Sequence, residues 1–418
     1  AQRSHNNRRL GVRQLLWISG ERDWCERQGF DLQQSLESSA VVWLADTSPA
    51  GFDGTFVTTG KGRHLVGTEQ DCVVINAHDG FDPNDFGAVS GAILPGGYLV
   101  LLSPPSSHWV AEENPVLRRL LSHGLSPQDS NHYYIARLLR GLERDEYIVR
   151  WHQQGGLVLG PDSEPVSDGE QEIEPPFASS DQIVAVEAMN HALHGHSHRP
   201  LLMTADRGRG KTIALAIAAG LWLQQGVEKI LLTAPSQKVV EPVFQWLLEH
   251  LQGSEQKGNT LKLGRATLEF LPPDELLQRR PEGDVLLVDE AAAIPLPMLA
   301  QMAVEHSRVI YSSTVHGYEG TGRGFGLNFK TYLDRQTPGW RSISLDKPVR
   351  YAANDPLESV TNQLLLLDAE PLDASAMDRA IERFQWISVE TLASNESLLR
   401  QVFGLLVQAH YQTTPLDL

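Results

Sequence analysis

Short uninterrupted apolar runs punctuate the first 150 residues. Val12 to Ser19 (VRQLLWIS), Ala40 to Leu44 (AVVWL), Cys72 to Asn76 (CVVIN) and Tyr98 to Ser103 (YLVLLS) are each rich in β-forming residues and bounded by turn residues, the pattern of strands buried on both faces. Helical patterns fill some of the gaps. This alternation predicts an N-terminal α/β domain over residues 1–154 with a largely parallel sheet. His78, Asp79 and Asp82 come just after a predicted strand, where α/β folds often place ligands, but they have no partners at motif spacing and read as turn residues.

The pattern breaks at residues 155–176. GGLVLGPDSEPVSDGEQEIEPP carries Asp162, Glu164, Asp168, Glu170, Glu172 and Glu174 without one Lys or Arg, and reads as a solvated acidic linker. Apolar runs then return at Pro200, at Lys229 to Ser236 (KILLTAPS), at Asp284 to Asp289 (DVLLVD) and at Val309 to Thr314 (VIYSST). They predict a second α/β domain over 177–356 with a mainly parallel sheet. No repeat of fixed period is present, which sets aside solenoids and propellers.

The chemistry concentrates in this second domain. PLLMTADRGRGKTIALAIAAGLWL runs from an apolar strand through a glycine-rich turn into an apolar helix, the context a phosphate-binding loop requires. Gly208 and Gly210 let backbone approach a polyanion, and the helix start offers free N–H groups at the positive end of its dipole. Lys211 can reach the β- and γ-phosphates of ATP or GTP, and the Thr212 hydroxyl can ligate Mg²⁺. The pattern GxxxxGK[ST] is incomplete, because Ala205 occupies its first position; a glycine-rich surface turn is the alternative. Asp289 and Glu290 end the DVLLVD run, where the aspartate can hold Mg²⁺ and the glutamate can orient and deprotonate water. Acidic strand ends are common by themselves, and the order of loop and acid pair is what points to an ATPase, with 177–356 as a RecA-like P-loop NTPase domain. Gln182 lies upstream, suited to an adenine edge because an amide both donates and accepts. Arg323, in a glycine-rich loop, and Arg350 are candidates to stabilise charge during phosphoryl transfer, with a surface ion pair as the alternative for each.

At 418 residues the chain has room for two or three domains. Hydrophobic residues make up 41% and charged residues 21%, which excludes wholesale disorder and a membrane bundle. The longest uncharged apolar stretch, Thr212 to Leu223, is about a dozen residues, short of the ~20 a membrane span needs. Two cysteines, Cys25 and Cys72, form neither a disulfide framework nor a zinc motif and suggest a reducing, cytoplasmic setting. The basic N-terminus lacks the apolar core of a secretory signal, and the missing initiator Met suggests a trimmed chain. A net charge of −17 argues against coating nucleic acid through global charge. Arg8, Arg9 and Arg13, and again Arg137, Arg140 and Arg144, form either a local basic face or simply solvated helix surface.

TADRGRGKT, VDEAAAIPLP, STVHGYEGTGRGF and PVRYAANDPLE, in this order, resemble the tRNA(Met) cytidine acetyltransferase family. The resemblance extends through LLWISGERDWC and HDGFDPNDFGAVSGAIL upstream and AHYQTTPLDL at the end, and so spans nearly the whole chain. It implies an N-terminal α/β domain, a helicase-like ATPase module and a GNAT-type acetyltransferase domain followed by an RNA-binding tail. It further implies that acetyl-CoA supplies the acetyl group for the exocyclic amine of a cytidine in the anticodon of elongator tRNA(Met), with ATP or GTP hydrolysis required. Residue by residue, Gln182, the loop Asp206, Arg207, Gly208, Arg209, Gly210, Lys211 and Thr212, and Arg350 match the family's nucleotide motifs; Asp289 and Glu290 match its acid pair. Residues 357–418 look like the opening helices of an incomplete acetyltransferase domain, so this chain is expected to hydrolyse nucleotide without acetylating. A nucleic-acid helicase or translocase, and a nucleotide-gated RNA-binding switch, are the alternative functions.

Overall fold

The computed structural model describes residues 2–35, 40–119, 121, 123–124, 126, 132–162, 173–314, 321–369, 385–409 and 413–418. The chain is mixed α/β and divides into two compact units, one comprising Ala1–Val166 with Arg350–Leu418 and the other Ser167–Val349.

The first unit holds β1 (Gln14–Ser19), β2 (Val41–Ala45), β3 (Thr55–Thr58), β4 (Gln70–Asn76), β5 (Ile93–Ser103), β6 (Val149–His152) and β7 (Gly156–Val158). They form one sheet in the order β3-β2-β4-β5-β1-β6-β7, parallel except for the final β6–β7 pair. Alternate residues explain the continuous apolar runs. Leu15, Trp17, Val73, Ile75, Leu99 and Leu101 pack one face, while Leu16, Ile18, Val74, Val100 and Leu102 pack the other. Burial on both faces removes the polar alternation of a one-sided sheet.

Two boundaries differ from the sequence reading. Gly156–Val158, assigned to the linker, pairs with β6 as an edge strand; most of the acidic segment, 163–172, lies outside the described residues. Residues 357–418, expected to open a separate domain, fold with the N-terminal unit. The reason is a shared core: Leu357, Val360, Leu364 and Leu365 of the helix Pro356–Leu365 pack with Leu138 and Leu142 onto the face that carries Leu15 and Trp17. Arg13 and Asp355 pin that helix through a fully buried ion pair of 3.0 Å. Arg137 is likewise internal, donating to both Glu396 carboxylate oxygens and to the Leu364 and Gln363 carbonyls. Neither set of arginines therefore makes a continuous basic face.

The second unit holds β8 (Leu201–Ala205), β9 (Lys229–Thr233), β10 (Ser254–Lys257), β11 (Thr260–Leu263), β12 (Ala266–Phe270), β13 (Val285–Val288), β14 (Val309–Thr314) and β15 (Arg341–Leu345). Their order is β10-β11-β12-β9-β13-β14-β8-β15, parallel apart from the β10–β11–β12 meander. The helix Lys211–Gln224 is almost wholly apolar, and most of its residues are buried in the core between the sheet and its neighbouring helices. At Gly220 an added Cβ would come within 2.9 Å of Trp246, so the bare backbone lets the helix Gln237–His250 pack close. No described helix is long and apolar enough to cross a membrane.

Candidate nucleotide-binding site

β8 delivers the chain to a tight turn, residues 206–210, that opens directly into the helix Lys211–Gln224. Gly208 and Gly210 both have φ of +79°, a region that costs a residue with a Cβ about 1–2 kcal/mol. Ala205, which replaces the usual leading glycine, is the last residue of β8 and needs no such conformation. The turn is braced from behind. Val349 N–H donates to the Gly208 carbonyl at 2.9 Å, and the Gln182 amide donates to the Gly210 carbonyl at 3.1 Å while accepting from Ala178 N–H at 2.8 Å. Gln182 is completely buried. Placed on sequence grounds at an adenine edge, its side chain here bonds with one end to the Gly210 carbonyl of the loop and with the other to Ala178 N–H, just ahead of its own helix. Arg209 is buried and turned to the Arg207 carbonyl at 3.4 Å.

A methyl group at Gly210 would sit 2.4 Å from Gln182 Nε2 and 2.8 Å from a Val349 methyl, besides its unfavourable φ. Gly210→Ala is therefore expected to weaken nucleotide binding by more than about tenfold, the equivalent of 1.4 kcal/mol. Titration with a fluorescent nucleotide checks this; unchanged affinity would mean that the turn does not contact phosphate.

The sheet order brings the acids to the loop. β14 lies between β8 and β13, and the peptide beyond β13 places Asp289 where Thr212 Oγ1 donates to its Oδ2 at 2.8 Å. Asp289 is fully buried. Burial, reinforced by the neighbouring Glu290 charge, pushes its carboxyl up to about 6, against the opposing pull of the Thr212 hydroxyl and the Lys211 ammonium. Glu290 adopts φ +46° and ψ +49°, uncommon for a residue with a side chain. Its N–H donates to Asp289 Oδ1 at 2.9 Å.

Thr212 and Asp289 supply hard oxygen donors of the kind magnesium takes, and the buried acid gains most from a cation. Protons compete with such a cation. Below pH 6, Mg²⁺–nucleotide affinity should fall about tenfold per pH unit as Asp289 protonates, and above it the affinity should level off. Calorimetric titration between pH 5 and 8 tests this, and a flat profile would contradict it. The stability contribution has the opposite sense. A folded-state value above the ordinary ~3.9 means the native state binds the extra proton, so without a cation this group's contribution weakens as pH rises from about 4 through 6.

Sequence reasoning passed over Thr314. Its hydroxyl accepts from Lys211 Nζ at 3.0 Å and reaches both Glu290 carboxylate oxygens at 3.0 and 3.1 Å. Nothing local marks it, because its place depends on β14 running three residues beyond Tyr311, the partner of Val288, to pair with Ala205 at the tip of β8. The second unit thus joins Lys211, Thr212, Asp289, Glu290 and Thr314. Arg350 belongs to the first unit, half-exposed and 3.7 Å from Glu69. Arg323, assigned to a loop, falls in the first turn of the helix Thr321–Gln336, and its side chain lies outside the described residues. Residues 351–418 contain one glycine, Gly404, inside the helix Glu396–Ala409.

A parallel sheet whose first strand turns through glycines into a buried helix, with an acid pair two strands away, is that of a P-loop nucleotide-binding domain. Comparison with known proteins makes the assignment narrower. Residues 2–153 match the family model described as tRNA(Met) cytidine acetyltransferase TmcA, N-terminal, and residues 202–368 match that of RNA cytidine acetyltransferase NAT10/TcmA, helicase domain. The chain belongs to the tRNA(Met) cytidine acetyltransferase family. The protein of that name from Nitrosococcus halophilus (strain Nc4) is 38% identical over 419 residues, covering 98% of this chain and 56% of the relative. That from Vibrio cholerae serotype O1 is 35% identical over 407 residues, covering 96% and 52%. The chain thus spans about half the length of the curated relatives it matches. A large terminase from a thermophilic bacteriophage, solved with ATP-gamma-S, aligns with 45% of this chain and 49% of its own at a TM-score of 0.34 and 13% identity.

Proposed function

We propose that this chain hydrolyses ATP or GTP in support of RNA cytidine acetylation, the RNA being elongator tRNA(Met) and the target the exocyclic amine of an anticodon cytidine. The observation that carries the reading is the convergence of Lys211, Thr212, Asp289 and Glu290 at one sheet edge, in a chain of a family named for that reaction. The triphosphate rests on the N–H groups of residues 206–212, in a turn whose Gly210 and Gly208 carbonyls are held by Gln182 and Val349. Lys211 neutralises charge on the β- and γ-phosphates. Mg²⁺, held by Thr212 and Asp289, would supply further neutralisation between those phosphates. Glu290 orients a water toward the γ-phosphorus and takes its proton as the new P–O bond forms and the bond to the diphosphate breaks. Arg350 and Arg323 are our candidates for countering charge that grows in that step.

Hydrolysis has a use in such an enzyme. A cytidine inside folded RNA must be unstacked before its amine can be modified, which costs a few kcal/mol. Acetyl-CoA would be the acetyl donor of the reaction. We place the activity in the cytoplasm, where unpaired thiols such as the buried Cys25 and Cys72 persist. Phosphate release from ATP and GTP with Mg²⁺ tests the proposal. Steady release supports it; tight binding without release would replace it with a nucleotide-gated switch, and directional strand displacement would favour a translocase.

A further inference from the structure

We propose that Thr314 is a positioning residue for this hydrolysis, its hydroxyl holding the Glu290 carboxylate in place while its oxygen shares the Lys211 ammonium with the phosphates. The inference rests on the nucleotide-hydrolysing reading above. One hydroxyl meets three charged-group atoms: Lys211 Nζ at 3.0 Å and the Glu290 oxygens at 3.0 and 3.1 Å. An ammonium has no acceptor, so the direction of each bond is set. Lys211 donates to Thr314 Oγ1, and the single hydroxyl proton points to Glu290, centred between its two oxygens.

The two partners differ in how firmly they are held. Thr314 ends a central strand, paired with Ala205 where the phosphate loop begins, and β14 also pairs with β13 just before Asp289. Its hydroxyl is therefore fixed relative to both the loop and the acid pair. Glu290 sits outside any strand, at φ +46°, on a side chain with three rotatable bonds. The Thr314 hydroxyl spans both oxygens of its carboxylate, and without that bond the carboxylate can swing from the line of attack. A polyphosphate that draws the ammonium competes with Thr314 Oγ1 for the same donor, so the residue that aims the base also registers the charge arriving on Lys211.

Thr314→Val and Thr314→Ser separate this role from packing. Valine keeps the shape and suits a strand; serine keeps the hydroxyl and loses a methyl. The expected result is a turnover number lowered about 10- to 100-fold in Thr314→Val, with Thr314→Ser within about threefold of wild type. Affinity for ATP-gamma-S should rise about threefold in Thr314→Val, because the competing hydrogen bond to Lys211 is gone. The reverse order of turnover, valine active and serine impaired, overturns the proposal in favour of simple packing. If wild type binds nucleotide without hydrolysing it, the underlying reading fails by itself. The shared ammonium is then judged on affinity: tighter binding of ATP-gamma-S by Thr314→Val than by Thr314→Ser supports it, and equal or weaker binding overturns it.

Discussion

Lys211→Ala is expected to lower nucleotide turnover by about 100- to 1,000-fold, the usual cost of deleting one charge-stabilising donor. Lys211 is the first residue of its helix and is only 6% exposed, so neither water nor a neighbouring side chain can readily stand in for the lost ammonium. If Lys211 faces the terminal phosphates as proposed, the same substitution should weaken binding of the triphosphate more than that of the diphosphate. Glu290→Gln provides the contrast. It preserves size and hydrogen bonding to Thr314 while removing the base, so binding should stay within a few-fold of wild type as turnover drops by about 100-fold or more. Binding isotherms measured beside phosphate release separate the two; equal turnover in all three proteins would mean that the chemistry lies elsewhere.

The second large effect concerns stability. Asp355→Ala should destabilise the first unit by about 3–5 kcal/mol, the range found when a buried ion pair loses one partner. Asp355 accepts from the Arg13 backbone N–H at 2.8 Å and from its guanidinium at 3.0 and 3.2 Å, and Arg13 also donates to the Ser90 carbonyl and lies 3.5 Å over the Tyr351 ring. Burial keeps the Asp355 carboxyl above its ordinary range despite the adjacent guanidinium, so the pair is costly to form and costlier to halve. Replacing both residues, as in Arg13→Met with Asp355→Leu, should recover only part of the loss, since no uncompensated charge remains but the Arg13 and Glu358 backbone N–H groups lose their acceptor. Urea denaturation monitored through Trp17 and Trp43, both buried in this unit, reads the effect. A shift below about 1 kcal/mol for Asp355→Ala would show that Arg13 finds water or another partner.

The range of each interaction decides whether sequence alone reveals it. Strands such as 72–76 and 309–314 were legible because burial on both faces writes a contiguous apolar run. The strand, turn and helix around Gly208 and Gly210 were legible because the residues that shape them are neighbours in the chain as well as in space. Asp289 and Glu290 could be proposed because the C-terminal ends of parallel strands are where α/β sheets gather their binding residues. Thr314 could not, since its meeting with Lys211 and Glu290 depends on which strand lies between two others. The placement of residues 350–418 was also hidden: Arg13 and Asp355 are separated by 342 positions, and a helix such as Pro356–Leu365 shows that it has an apolar face without showing which sheet receives it. Gln182 illustrates a different limit. Its amide does act as donor plus acceptor, but its partners are backbone groups, the Gly210 carbonyl of the loop and Ala178 N–H ahead of its own helix.

The most direct test of the account is the rate of ATP and GTP hydrolysis by this chain with Mg²⁺, measured with and without elongator tRNA(Met), for wild type and Glu290→Gln. The account predicts turnover in wild type that rises when the tRNA is added and is lost in the variant under both conditions. Turnover indifferent to tRNA, or surviving the loss of Glu290, would contradict it.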